Sequence, residues 1–168
     1  MHAQVVQSLV IRMADLDRRE DQQAVLEITD QYAQHAMGGS QPLRPDVRAR
    51  LIEGLRSHPM TRIFLAWQGD TAVGIATCFV GFSSFAAKPL INIHDLAVVS
   101  DRQGQGIGRR LIESVVEYAQ SLDCSSVTLE VRMDNSPARK LYDRMGFQQV
   151  GDVVTQEAML FGKLKLSN

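Results

Sequence analysis

The chain has 168 residues, 45% of them apolar and 22% charged, with a formal net charge of -1: the proportions of a soluble globular protein with room for a sizeable core. That balance gives no basic footprint for nucleic acid, and no run approaches the roughly 18 consecutive apolar residues of a membrane span. The opening MHAQVVQSLVIRM lacks the layout of a secretory signal, and Cys78 and Cys124 form no C-x-x-C motif. They read as reduced, buried thiols in a cytoplasmic protein without a metal site.

No repeat or linker divides the chain, so residues 1–168 are expected to form a single domain. Residues 4–12 read as a first strand. Asp15 or Asp17 is placed to cap a helix running to about Ala36, with Val25, Ile28 and Tyr32 on one face. The stretch from Met37 to Pro42 ends it. Pro45 and Asp46 open a short second helix carrying Val47, Leu51 and Leu55, which stops before Pro59. Residues 61–68 alternate as a strand with Ile63, Leu65 and Trp67 on one face. Gly69-Asp70 then turns the chain back into an antiparallel strand over 71–81.

A loop over 82–89 leads to an apolar strand over 91–99. Residues 107–122 form a helix with Ile107, Leu111, Val115, Ala119 and Leu122 on its inner face. Residues 126–131 make the next strand. Asn135-Ser136-Pro137 opens another helix, which Gly146 closes. Strands over 148–153 and 158–164 finish the chain. The order β-α-α-β-β-β-α-β-α-β-β implies a mixed α/β (α+β) domain, with strand–helix–strand crossovers only in its second half.

The segment Gln103-Gly104-Gln105-Gly106-Ile107-Gly108, followed by Arg109 and Arg110, lies between an apolar strand and an amphipathic helix. Its glycines let the backbone approach a ligand closely. The helix start behind them offers unpaired N–H groups to a phosphate or pyrophosphate, and Arg102, Arg109 and Arg110 stand nearby. A dinucleotide fingerprint is disfavoured although Glu130 could pose as its ribose-binding acid. The third glycine of G-x-G-x-x-G falls on Arg109, and the first half of the chain has no opening βαβ unit.

Gln103-x-x-Gly106-x-Gly108 resembles the Q/R-x-x-G-x-G/A acyl-CoA signature of the GCN5-related N-acetyltransferase (GNAT) superfamily. The run from Ile91 to Phe147, INIHDLAVVSDRQGQGIGRRLIESVVEYAQSLDCSSVTLEVRMDNSPARKLYDRMGF, is similar without a gap to that family's strand 4, helix 3, strand 5 and helix 4. The resemblance implies a twisted mixed sheet of seven strands flanked by four helices and splayed between strands 4 and 5. It implies that acetyl-CoA is the cosubstrate, with Gln103, Gly104, Gln105, Gly106, Ile107, Gly108 and Arg109 around the pyrophosphate. The backbone of Leu96, Ala97 and Val98 would pair with the pantetheine arm like an added strand. Asn135 and Ala138 fall near the coenzyme in relatives, and Asn135 serves equally well as a helix cap.

Acetyl transfer to an amine needs a neutral amine, an oxyanion donor and a protonated leaving thiol. For a lysine-like amine, deprotonation at pH 7 costs about 4.6 kcal/mol at roughly 1.36 per pH unit. A phenol stays protonated at neutral pH, and Tyr142 occupies the position of the family's tyrosine acid. Its place in a stripe with Ala138, Leu141 and Met145 also suits a core residue. For the base, strand alternation sends His94 and Asp95 to opposite faces. His94 stands where relatives of the diamine and spermidine acetyltransferase type carry a glutamate, Asp95 is the second choice, and a water chain the third.

Glu27, Phe82, Ser84, His94 and Glu130 are the expected acceptor contacts, with the loop over 37–42 and Asp30 beside them. These expectations describe an N-acetyltransferase that moves acetyl from acetyl-CoA to a primary amine of a small molecule in one ternary complex. A non-catalytic acyl-CoA-binding module on the same fold is the alternative. No nucleic acid or membrane partner is expected, and homodimers are common among relatives.

Overall fold

The computed structural model describes residues 8–150 and 159–166. In chain order these form β1 (Leu9–Met13), α1 (Arg19–Gln34), α2 (Pro45–Ser57), β2 (Thr61–Gln68), β3 (Thr71–Ser83) and β4 (Lys88–Val98). A 3-10 turn (Ser100–Arg102) leads to α3 (Ile107–Ser121), β5 (Ser126–Arg132), α4 (Ser136–Arg144), β6 (Gln148–Val150) and β7 (Met159–Lys165). The element order is the one expected. Seven strands lie in the spatial order β1-β2-β3-β4-β5-β7-β6, antiparallel throughout except for β4 beside β5. That parallel pair is joined through α3, the crossover such a pair requires.

Each face of the sheet carries its own core. On one face Phe64, Ala66, Ala76, Cys78, Ile91, Ile93, Val127 and Leu129 pack with the inner residues of α3 and with Tyr142 of α4. On the other, Ile63, Leu65, Ile75 and Ala97 lie under Ala24, Val25 and Ile28 of α1. β2 therefore contributes to both cores, and the one-sided pattern of Ile63, Leu65 and Trp67 understates it, because Phe64 and Ala66 are buried too. Each fully buried Leu or Ile contributes about 1.5–3 kcal/mol.

Several boundaries differ from those expected. β1 extends one residue past Arg12, and residues 4–7 of the expected strand lie outside the described residues. α1 starts at Arg19 and ends at Gln34, and its N-cap is Arg18 rather than Asp15 or Asp17. The carboxylate drawn in here is instead Asp21, fully buried and gripped by both guanidinium nitrogens of Arg12 at 2.6 and 2.7 Å and by the Asp15 N–H at 2.7 Å. Asp15 itself accepts the Asp17 N–H, and Asp17 pairs with Arg56.

The β3–β4 hairpin is longer than expected, pairing as far as Ser83 with Lys88. Only residues 84–87 remain as a loop, turned at Ala87 with φ 49°. β6 ends at Val150, and residues 151–153 and 158 of the last two expected strands lie outside the described residues.

Two irregularities of β4 position the site. Cys78 pairs with Ile93 and Thr77 with Asp95, so His94 is an extra residue, a β-bulge. β4 meets β5 only at Ile91–Val127, Asn92–Thr128 and Ile93–Leu129. Beyond those three pairs the parallel strands part, and residues 94–98 of β4 keep a partner on one side only.

Candidate active site

The open edge of β4 has a definite polarity. The Val99 N–H donates to the Val73 carbonyl at 3.0 Å, and Ala97 is opposite Ile75. Backbone groups alternate along an antiparallel strand, so Ala97 faces β3 while Leu96 and Val98 aim N–H and C=O into the gap. Of the three residues expected to pair with a pantetheine arm, Ala97 is thus turned away, with its side chain in the α1 core. The Gln103 side-chain amide donates to the Val98 carbonyl at 3.1 Å, tying the first residue of the glycine motif to this edge.

α3 begins where the edge ends. Its N-cap is Gly106, which has no side chain to satisfy the first-turn N–H groups. Gly104 and Gly106 have φ of 75° and 79°, and a Cβ built on either would meet nothing within 4 Å. Both need the left-handed conformation, and both border open space. Gly108 is different: a Cβ there would make ordinary contacts, 3.4 Å from Leu141 of α4 and 3.9 Å from Val98 of β4, so this position lies between the three elements.

Ile107 is buried and anchors the helix. Gln105 bonds back to the Asp101 carbonyl, and Arg109 pairs with Glu113 on the outer face of α3. Asn135 caps α4 by accepting the Ala138 N–H at 3.2 Å, so these two residues satisfy each other.

On the opposite face the bulge corrects the expectation for His94 and Asp95. Phe79 faces away from the α3 core that holds Cys78, and the His94 ring stands against it at a centroid distance of 5.5 Å. Asp95 is opposite Thr77 and two residues from Ala97 of the α1 core. Both candidates for the base therefore lie on the face covered by α1 and α2, since a one-residue insertion cancels the alternation. His94 is exposed, in a row with Phe79 and His58. Asp95 is half-buried, and burial pushes its carboxyl above the ordinary range while His94 pulls the other way.

Two phenols sit in the cores on the two faces of the sheet, Tyr142 on the α3 side and Tyr32 on the α1 side. Burial raises Tyr142 far above its ordinary value, with a further push from Tyr32. Burial likewise raises Tyr32, helped by the Asp95 charge and opposed by Arg132. Tyr32 lines a hollow of about 100 Å³ with Ile28, Leu96, Ala97, Val98 and Gln103. A larger hollow of about 290 Å³, between the β1–α1 loop and the end of α2, lies apart from these residues.

The remaining expected acceptor contacts are scattered. Glu130 is exposed on β5, one residue past the last pair with β4, and so borders the gap. Phe82 and Ser84 belong to the far end of the hairpin. Phe82 is opposite Pro89, five residues from His94, or about 16 Å along the strand. Glu27 is exposed and accepts a bond from Gln23 along α1. Asp30 holds the Leu43 N–H and Arg48. Sequence reasoning missed Tyr32, which it placed only in the packing stripe of α1.

A seven-stranded sheet split at its parallel pair, with a glycine-led helix start beside the split, defines an acetyltransferase of the GNAT type. The description of the acetyltransferase (GNAT) family matches residues 23–147, and the chain belongs to that family. It is similar to N-alpha-acetyltransferase RimI of Mycobacterium tuberculosis, 40% identical over 88 residues that make up 51% of each chain. It is also similar to the mycothiol acetyltransferase of Catenulispora acidiphila, 29% identical over 149 residues, 87% of this chain and 46% of that one. The chain spans about half the length of these curated relatives.

Among solved structures, the NatC complex bound to Gag peptide and CoA aligns with a TM-score of 0.71 at 21% identity, covering 95% of this chain and 99% of that one. At that identity the likeness shows the fold alone.

Proposed function

We propose that this protein transfers acetyl from acetyl-CoA to a primary amine of a small molecule, directly within a ternary complex. The observation that carries the reading is the open edge of β4 ending at uncapped N–H groups of α3, with Tyr142 in the core on which α3 packs. The open space at Gly104 and Gly106 is a cradle that side chains would fill, which fits a pyrophosphate. Leu96 and Val98 supply backbone groups for the pantetheine arm, and their N–H groups are the candidate oxyanion donors.

Bound acetyl-CoA supplies the activated acetyl thioester. His94, with Asp95 beside it, accepts the proton the amine loses as its nitrogen bonds to the acetyl carbon. As the carbon–sulfur bond breaks, Tyr142 gives its hydroxyl proton to the thiolate; burial keeps the phenol protonated until that moment and makes the phenolate it leaves costly. His94 stands where relatives of the diamine type carry a glutamate, and the exchange removes an anionic partner for a polycation, which speaks against a polyamine acceptor. The likeness to RimI favours a second reading, the α-amine of a peptide.

Thiol release measured over diamines, amino acids, aminoglycosides and peptide N-termini separates these acceptors. Binding of acetyl-CoA with no thiol release on any amine would leave a non-catalytic acyl-CoA module instead. Gly106→Asp, which sets a carboxylate in the cradle, is expected to weaken acetyl-CoA at least about hundredfold, some 2.7 kcal/mol. Unchanged affinity by calorimetry would place the coenzyme elsewhere.

A further inference from the structure

The face that α1 covers over β2, β3 and β4 continues over β5 and β7, and there the α1 core takes no residue. Alternation fixes which side chains this uncovered part presents. Val127 and Leu129 of β5 and Leu164 of β7 pack in the α3 core, so Thr128 and Glu130 point to the opposite face. Lys163 is paired with Thr128, and a Cβ on its neighbour Gly162 would lie 3.0 Å from Leu129, so Lys163 points the same way as Thr128. Asn92 donates to the Thr128 hydroxyl at 3.2 Å, which ties this stretch to β4 two residues before His94.

The charges on this face are sorted by distance from the gap. Glu130 is exposed beside the gap, Lys163 is half-buried one strand further out, and neither has an ion pair among the described residues. They are diagonal neighbours on antiparallel strands, about 7 Å apart at the backbone. Arg132, the other cation near the gap, already holds both oxygens of Asp134. A negative group beside the reacting end, with an unmatched positive group beyond it, complements a molecule that carries an amine at one end and an anion at the other. A polyamine would meet Lys163 with like charge. We propose that the acceptor is an amine whose far end is anionic, a carboxylate or a phosphate, and that Lys163 is the residue that holds this anion and sets the specificity. Strands 4.7–4.9 Å apart put the Lys163 backbone about 10 Å across the sheet from Asn92, so the amine and the anion are several bonds apart.

This assignment rests on the acetyltransferase reading and names the acceptor within it. Butylamine, 1,4-diaminobutane, 4-aminobutyrate and 3-aminopropyl phosphate each carry a primary amine on a short aliphatic chain and differ at the other end. In thiol release by the wild type, kcat/KM is expected to be at least about tenfold higher for one of the two anionic amines than for butylamine, and lowest for 1,4-diaminobutane. Whichever anionic amine is faster tells carboxylate from phosphate. Lys163→Gln is expected to bring the ratio of anionic amine to butylamine down to about one, and Lys163→Arg to keep it. Lys163→Glu is expected to invert the order in favour of 1,4-diaminobutane. A Lys163 that is merely structural would slow all four substrates together and leave their ratios as in the wild type, which overturns the assignment. So does a wild type that releases thiol with other amines but does not prefer the anionic pair, although the acetyltransferase reading then stands. A wild type that releases no thiol with any amine removes both.

Discussion

Asp21 and Asp95 are two carboxylates on the α1 side of the sheet, held in opposite ways. Asp21 is fully buried, yet its ionised form is favoured: Arg12 grips both oxygens, the Asp15 N–H adds a third bond, and the carboxyl falls below its ordinary range. Asp95 is less buried but faces no hydrogen-bond donor among the described residues, and burial raises it. The first clamps β1 to α1 and has every partner it needs. The second borders a gap in the sheet and has no such partner among the described residues, so burial sets the direction of its shift.

Breaking the clamp has the largest expected effect. Asp21→Ala is expected to cost about 3 kcal/mol in denaturant unfolding, at the low end for a broken buried pair because Arg12 can regain water. The folded fraction would keep its activity, and a loss below about 1 kcal/mol would make the pair a surface bridge in effect. On the other side of the comparison, Tyr142→Phe is expected to lower turnover about hundredfold with acetyl-CoA affinity kept. An unchanged rate rules out its role as proton donor. His94→Ala is expected to lower turnover about tenfold with acetyl-CoA affinity kept. An unchanged rate moves the base to Asp95 or to water.

The smallest effect is the sharpest in sign. A carboxyl raised on folding stabilises least when ionised, so the wild type loses stability as pH climbs from the ordinary carboxylate value, near 4, through the folded value of Asp95. Asp95→Asn is therefore expected to raise Tm at pH 7 and to show no gain below pH 4. Asp21, lowered on folding, gives the reverse: its contribution is full above the ordinary value and fades as pH falls. A Tm for Asp95→Asn below wild type at pH 7 would mean that Asp95 is paired in a way this account omits.

Much of this was legible in the residues. The order of elements follows from apolar period, Gly69-Asp70 and the caps, and the helix start behind Gly104 and Gly106 from their spacing. The bulge was not, because one inserted residue at His94 leaves the composition of β4 unchanged and only reverses which face follows. Nor was the Arg12–Asp21 grip, since an acid in a first helical turn ordinarily reads as a solvated contribution to the helix dipole. Tyr32 was hidden by its own stripe, where a phenol at helical spacing from Val25 and Ile28 looks like core. That Gly108 also lies beside Leu141 could not be read from spacing, because Leu141 belongs to another element.

Amide hydrogen exchange with and without acetyl-CoA tests the placement of the coenzyme most directly. The account predicts slowed exchange at Leu96, at Val98 and over residues 104–110, with little change at Ala97, which already faces β3, or in the paired stretch 91–93. Protection that bypasses Leu96 and Val98, or that falls on Ala97 instead, would contradict it.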